Sequence, residues 1–277
     1  MPEGPDVASM VKLLIGELHD CVYELGYNYK THKSVINLFK DKGMYNSLIR
    51  NIYALGKKLI IEMDCDFCIV FEFKLAGYIY ITDANSANSI EFKGIQGYST
   101  YGYKQFRYRY VVLKDSMNLA TISVKKLDEL HNLKEKSKII CMSCITVDKF
   151  SEYRITNPNK SVGALLVDQK YVLGIGNRYR NELLFVSRIH PKEKMKDLTD
   201  AQITTLIWNM HDIFNRSSIT SMRYSQPYNA YPMIIHGSNY YLLDGQRYTV
   251  SQMKIGSQTV YYCKDFQVLS TSADDGD

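Results

Sequence analysis

Tryptophan occurs once and proline six times in 277 residues, against 23 tyrosines, a bias that an AT-rich genome produces and that points to no function by itself. No apolar run approaches the roughly 18 residues of a membrane-spanning helix, and Met1-Pro2-Glu3-Gly4-Pro5-Asp6 carries acidic residues where an export signal carries basic ones. The expectation is an intracellular chain with no membrane partner. Six cysteines without an export signal read as thiols rather than a disulfide framework. Cys65-x-x-Cys68 and Cys141-x-x-Cys144 have zinc-like spacing, but the first pair lies in an Ile, Val and Phe-rich stretch. Neither pair has the glycine or basic residues of a zinc knuckle, so no metal is expected. A strong excess of positive charge is also missing. Net charge is +5 with a pI near 8.7, which favours a polyanionic partner without identifying one.

What is present falls into two parts. Asp6 to Leu18 places Val7, Met10, Val11, Leu14 and Ile15 near helical spacing behind Pro5, predicting a first helix. From Tyr23 to Val124, short runs such as Lys58–Met63, Cys68–Phe73, Tyr78–Thr82 and Tyr108–Leu113 alternate with Asn, Asp, Ser and Gly, predicting an antiparallel sandwich or barrel. Beyond a charged boundary, Ser161–Asp168, Asn177–Arg188 and Thr199–Ile213 read as helices, the last opened by Thr199 with Gln202 in its first turn. Ile234 to Val268 returns to β-like segments, with Asp244-Gly245 and Gly256-Ser257 as candidate turns of a hairpin. The expected layout is an α+β chain: 1–130 helix plus β-sandwich, 131–150 linker, 151–233 helical domain, 234–268 hairpin, 269–277 disordered tail.

Several residues carry chemistry. With Met1 removed, Pro2 presents a secondary amine, which can displace a base from C1′ of a sugar and hold the sugar as an iminium. Glu3 beside it is placed to move protons. On the residues alone, the pair also fits an ordinary chain start. Gly174 and Gly176 allow close backbone approach to a phosphate ahead of a helix N-terminus, though such turns also simply cap helices. Lys57-Lys58 is equally an exposed strand-edge pair, and Leu75 equally a core residue.

Met1-Pro2-Glu3-Gly4-Pro5-Asp6-Val7 resembles the start of the formamidopyrimidine-DNA glycosylase and endonuclease VIII family, with Asp6 standing where members carry Glu. Leu165 through Leu184, with its Gly174-Ile175-Gly176-Asn177 turn, and the following Ile189-His190-Pro191 are similar to that family's helix–two-turn–helix signature. Leu55-Gly56-Lys57-Lys58-Leu59-Ile60 resembles its lysine strand, and the spacing to Leu75-Ala76-Gly77 favours Lys57 over Lys58. The resemblance implies Pro2, Glu3 and Lys57 as catalytic residues with Asp6 in support, and Gly174, Gly176 and Asn177 as phosphate contacts. It further implies Leu75 as the wedge that replaces an everted base. The implied partner is duplex DNA with an oxidised base or abasic site, bound by a monomer without a cofactor.

The chain departs from the pattern in two places. Ile235-His236-Gly237 and Thr259-Val260-Tyr261-Tyr262-Cys263 resemble the bounds of the family's finger, but Cys263 is the only cysteine between them, implying a zincless finger of the endonuclease VIII-like branch. Gln258 stands where members carry an arginine on phosphate. Either Arg247 or Lys254 substitutes, or a second elimination is slow, or Gln258 is an engineered change. Lys126, in Val124-Lys125-Lys126-Leu127, is the nearest counterpart of an Arg-Arg-Phe-Gly stretch. The implied function is a bifunctional DNA glycosylase and abasic-site lyase acting on oxidised pyrimidines. Removal of oxidised purines is the alternative within the class, and a catalytically inactive damaged-DNA-binding protein the alternative outside it.

Overall fold

The computed structural model describes residues 3–18, 23–26, 49–73, 78–83, 109–114, 120–130, 140–217 and 232–270. It divides into two units, Met1–Lys136 with Ser218–Ala230, and Ser137–Ser217 with Tyr231–Asp277. Pro2 and Leu75 lie outside the described residues. Among those described, no helix is long and apolar enough to cross a membrane.

In the first unit, helix α1 (Gly4–Leu18) starts two residues ahead of expectation. Pro5 sits in its first turn, where a missing N–H costs no helical hydrogen bond. Val7, Met10 and Val11, spaced to share one face, are buried, and α1 lies against β2 (Ile49–Leu55) and β3 (Lys58–Met63). Ile15 belongs to the exposed side, at 46%. These strands continue into β4 (Phe67–Phe73) and β7 (Ala120–Lys126) as a four-stranded antiparallel sheet of order β2-β3-β4-β7. Leu59, Ile60 and Ile61 are all fully buried, so both faces of β3 are covered, which explains why its sequence runs apolar without alternating.

The remaining strands of this unit, β1 (Tyr23–Gly26), β5 (Tyr78–Asp83) and β6 (Arg109–Lys114), form a sheet of order β1-β6-β5. Its β1–β6 pair is parallel, correcting the purely antiparallel expectation. Strands separated by most of a domain can pair either way, because no tight hairpin dictates their direction.

The second unit begins earlier than expected. Of the predicted linker 131–150, β8 (Ile140–Cys141) pairs in parallel with β9 (Val172–Leu173), and α2 (Val147–Thr156) has already started by residue 150. Helix α2 escapes a reading based on periodicity because only Phe150 and Tyr153 of its ten residues are buried. Its start is nonetheless marked locally: the Thr146 hydroxyl accepts from the Lys149 amide.

Three helices and a short 3-10 turn follow: α3 (Val162–Val167), α4 (Asn177–Val186), the turn Met195–Asp197, and α5 (Asp200–Arg216). They enclose a core that includes Leu165, Leu183, Leu184, Leu206 and Met210. Thr199 and Gln202 form a reciprocal capping box on α5. Helix α4 stops in a Schellman motif: the Ile189 amide donates to Leu184 O and the Arg188 amide to Phe185 O, with Arg188 at φ 55° in a position that favours glycine.

The predicted single hairpin is a three-stranded antiparallel sheet of β10 (Tyr240–Leu243), β11 (Gln246–Ile255) and β12 (Gln258–Cys263). Asp244-Gly245 and Gly256-Ser257 turn two successive hairpins rather than one. Asp244 and Gly245 both take positive φ (50° and 80°), as a type I′ turn requires. The expected disordered tail starts too early, since the Ser270 amide donates to the Glu193 carboxylate at 3.0 Å. Residues 271–277 lie outside the described residues.

Gly163 in α3 fixes where the β11–β12 tip rests. A Cβ there would sit 2.6 Å from Pro191 O and 2.9 Å from Ile255 Cδ1. The Ile255 side chain can move, but the Pro191 carbonyl belongs to the backbone. Gly163→Ala is expected to destabilise the protein by about 1–3 kcal/mol, read as a lower Tm in thermal denaturation.

Candidate functional site

On the first unit, the residues around the chain start are ordered by one hydrogen bond. The Glu3 amide donates to Asp6 Oδ2 at 2.8 Å, and the Val7 amide donates to Glu3 O at 3.0 Å. Glu3 therefore occupies the N-cap of α1, and Asp6, three residues on, returns a carboxylate to the cap amide, as the second half of a capping box does. Both side chains are buried, at 1% and 4% exposure. Asp6 is in this sense a positioning residue: its carboxylate holds the Glu3 backbone at the head of the helix.

Lys57 lies in the two-residue turn between β2 and β3, whose first member, Gly56, has φ 59°. Glycine at that position is what a type II′ hairpin requires. The neighbouring Lys58 is engaged elsewhere, since its Nζ pairs with Glu72 Oε1 at 2.5 Å across the β3–β4 ladder. Lys126 is exposed at the end of β7, in register with Phe67. That is the opposite end of the sheet from the Lys58–Glu72 pair, so Lys57 and Lys126 are not brought together.

On the second unit, the glycine turn is stapled by one amide. Gln169 Oε1 accepts from the Gly174 amide at 3.0 Å, while its Nε2 donates to the carbonyls of Ile175 and Val167 at 2.8 and 2.9 Å. Gly174 has φ 99°, a backbone conformation open to glycine. Gly176 is the N-cap of α4 and makes no side-chain cap bond.

Asn177 follows at the first position of α4. Its Nδ2 donates to Thr259 O at 2.9 Å, and its Oδ1 accepts from the Arg180 guanidinium, which also donates to Gly163 O at 3.2 Å. The structure thus gathers Gly174, Gly176 and Asn177 beside Thr259, the residue after Gln258. Gln258 itself is half-buried opposite Ile255.

Sequence reasoning assigned no part to Arg180, Asn181, Glu182 or His236. Arg180, Asn181 and Glu182 are fully buried on a helix of the second unit, where charge is costly unless satisfied. The Glu182 carboxylate accepts three consecutive main-chain amides, Ile234 at 2.8 Å, Ile235 at 3.1 Å and His236 at 2.8 Å. Burial raises its carboxyl above the ordinary range and those three donors oppose the shift. Asn181 Nδ2 lies 2.7 Å from His236 Nδ1, an approach in which the ring nitrogen accepts. Burial holds the His236 imidazole below its usual range, with the Arg178 and Arg180 charges acting the same way. A legible signal did exist. Asn177 and Arg180 stand three apart and so share a helix face, and Asn-Arg-Tyr-Arg-Asn-Glu is too polar for a helix that buries most of its residues.

Two outcomes follow from this anchorage. Glu182→Ala leaves three main-chain amides without an acceptor, of which the buried one at Ile235 costs about 1–3 kcal/mol, and should abolish hydrogen-exchange protection at residues 234–236. Unchanged protection there would show that the carboxylate is not the anchor. For His236, the unfolded chain takes up a proton below the ordinary value of 6.5 that the folded chain refuses, so stability should fall as pH drops from that point. Glu182, raised, acts with the opposite sign. The test is therefore the difference in the Tm–pH slope between wild type and His236→Gln, which should be flatter in the variant.

Known proteins resemble this chain in sequence and in fold. Residues 142–224 match the model of the formamidopyrimidine-DNA glycosylase H2TH domain. The formamidopyrimidine-DNA glycosylase of Mycoplasma pneumoniae is 23% identical over 288 residues, covering 97% of this chain and 99% of that protein. Two solved structures share the fold. Lactococcus lactis Fpg with abasic-site DNA is 17% identical with a TM-score of 0.74, covering 96% of this chain and 99% of that one. The same protein with DNA containing an oxidised pyrimidine is 18% identical with a TM-score of 0.75, covering 96% and 100%. The matched H2TH model thus covers the residues around Asn177, and the fold of Lactococcus lactis Fpg is shared along nearly the whole chain.

Proposed function

We propose that this protein excises oxidised bases from duplex DNA and then cuts the strand at the abasic site, with the Pro2 ring nitrogen as nucleophile once Met1 is removed. The observation that supports the reading is the buried Glu3–Asp6 cap, which holds Glu3, the residue that follows Pro2 in the sequence, at the head of α1. In the first step the Pro2 nitrogen forms a bond to C1′, and the base leaves with the glycosidic electron pair and a proton. Glu3 supplies a proton as the sugar ring opens, and loss of the N–H proton gives the iminium. Electron withdrawal makes the C2′ proton acidic. Its removal expels the 3′ phosphate, and water then releases Pro2 from the sugar. Lys57 balances phosphate charge on the same unit, and Leu75 fills the space of the everted base. Gly174, Gly176 and Asn177 hold the backbone, and Lys126 contacts DNA away from the reacting sugar. The protein works as a monomer without a cofactor.

The finger fits a metal-free reading. Cys263 is buried with Sγ 3.6 Å from Asp265 Oδ2, and one thiol cannot form a tetrahedral site. Glu182 and an aromatic cluster of Phe185, Tyr241, Tyr248 and Phe266 serve as the staple instead.

This finger and the Leu-Val-Asp-Gln lead into the glycine turn support the endonuclease VIII-like branch, and oxidised pyrimidines as substrates. The name of the Mycoplasma pneumoniae relative favours formamidopyrimidine lesions as the second reading. Excision of thymine glycol and of a formamidopyrimidine from otherwise identical duplexes separates the two.

Borohydride trapping on an abasic-site duplex tests the mechanism. A covalent complex mapping to Pro2 is expected, and N-terminal acetylation should abolish both trapping and cleavage. Strand cutting that survives acetylation would overturn the assignment.

A further inference from the structure

We infer that Lys254, on β11, supplies the positive charge of the β11–β12 tip and pairs there with a phosphate of the bound DNA strand. This rests on the DNA-binding reading above. Lys254 is exposed and sits directly across the ladder from Thr259. Its Nζ donates to Thr259 Oγ1 at 2.7 Å, and the carbonyl of the same threonine accepts from Asn177 Nδ2 at 2.9 Å. One residue therefore joins the ammonium group to the start of α4. The Asn177 amide nitrogen has two N–H groups, of which Thr259 takes one.

The electrostatics separate Lys254 from its neighbours. A hydroxyl partner orients an ammonium group without neutralising it, and among the described residues no carboxylate lies within ion-pair distance of Lys254. Two of the three ammonium protons remain to donate. Gln258, next to Thr259, can hydrogen-bond an anion but brings no charge. Arg247 is at the wrong end of the sheet. It lies seven positions earlier on the same strand, about 23 Å away at the rise of an extended chain. Its guanidinium rests 3.9 Å above the Tyr240 ring.

The position of the tip is itself fixed. Ile255, next to Lys254, packs against Gly163, whose carbonyl accepts from the same Arg180 that holds Asn177. The ammonium charge is thus carried on a short rigid turn whose place relative to Asn177 is set by packing. That is the condition under which one lysine selects one phosphate rather than sampling several.

The experiment is the salt dependence of binding to an abasic-site duplex, with full-length wild type, Lys254→Gln, Lys254→Arg, Thr259→Val and Arg247→Gln. Each neutralised phosphate adds about 0.9 to the slope of log K against log salt. Lys254→Gln should lower the slope by about that amount, and Lys254→Arg should restore it. Thr259→Val, which removes only the hydroxyl partner, and Arg247→Gln should keep the wild-type slope. An unchanged slope in Lys254→Gln, or an equal loss in Arg247→Gln, would overturn the assignment. A merely structural lysine would make Lys254→Gln and Thr259→Val alike, lowering affinity at every salt concentration with no change of slope, and that result would overturn it too. Wild-type protein showing no salt-dependent binding would instead defeat the DNA-binding reading on which this one rests.

Discussion

The carboxylate of Glu182 holds the second unit in its working arrangement. It takes three successive main-chain amides from residues 234–236, and through them ties the segment that leads into the finger to helix α4. A side chain that bonded one amide would leave this segment free to pivot, whereas three in a row fix its direction as well as its place. The Asn177–Thr259 bond and the packing of Ile255 on Gly163 are further contacts between the helical part and the finger. The charge costs desolvation, and the same burial that raises the Glu182 pKa makes the carboxylate intolerant of losing any donor.

The β10–β11–β12 sheet is secured to the helices of the same unit at several points. Four supports act together, namely the Glu182 carboxylate, Gln267, the aromatic cluster around Phe266, and the fingertip contact at Gly163. Gln267 accepts from the Cys263 amide at 2.9 Å and donates to Ile189 O at 2.8 Å, bridging the end of β12 to the chain after α4. Phe266 stacks edge-on against Phe185, Tyr241 and Tyr248, with the Arg188 guanidinium 5.8 Å from its ring. Each is of ordinary strength, and together they hold the sheet at several points.

Those elements whose signals are local could be read from the sequence. The Thr199–Gln202 capping box, the glycine turns at Asp244-Gly245 and Gly256-Ser257, and the apolar strands β3 and β4 stand in the structure within a residue or so of where their residues place them. What could not be read depends on partners distant in sequence. The parallel β1–β6 pairing and the parallel pairing of Ile140–Cys141 with β9 in the second unit are both non-local. Helix α2 was hidden because it buries only two side chains. Within the candidate site, the motif positions Gly174, Gly176 and Asn177 were legible, but the groups that hold them were not. Arg180, Glu182 and Gln169 act through contacts that no spacing rule reveals, apart from the three-residue step from Asn177 to Arg180.

The order of synthesis gives the Glu182 anchor a consequence in time. Helix α4 leaves the ribosome about fifty residues before the amides that its glutamate requires, and the finger strands follow later still. Throughout that interval Glu182 has a hydrated carboxylate on a helix destined for burial, so α4 cannot close over it at low cost. The helical part must wait, partly open, for residues 234–236 to arrive. Completion of the second unit is therefore a late event, set by the delivery of three backbone amides rather than by the collapse of the helices that precede them.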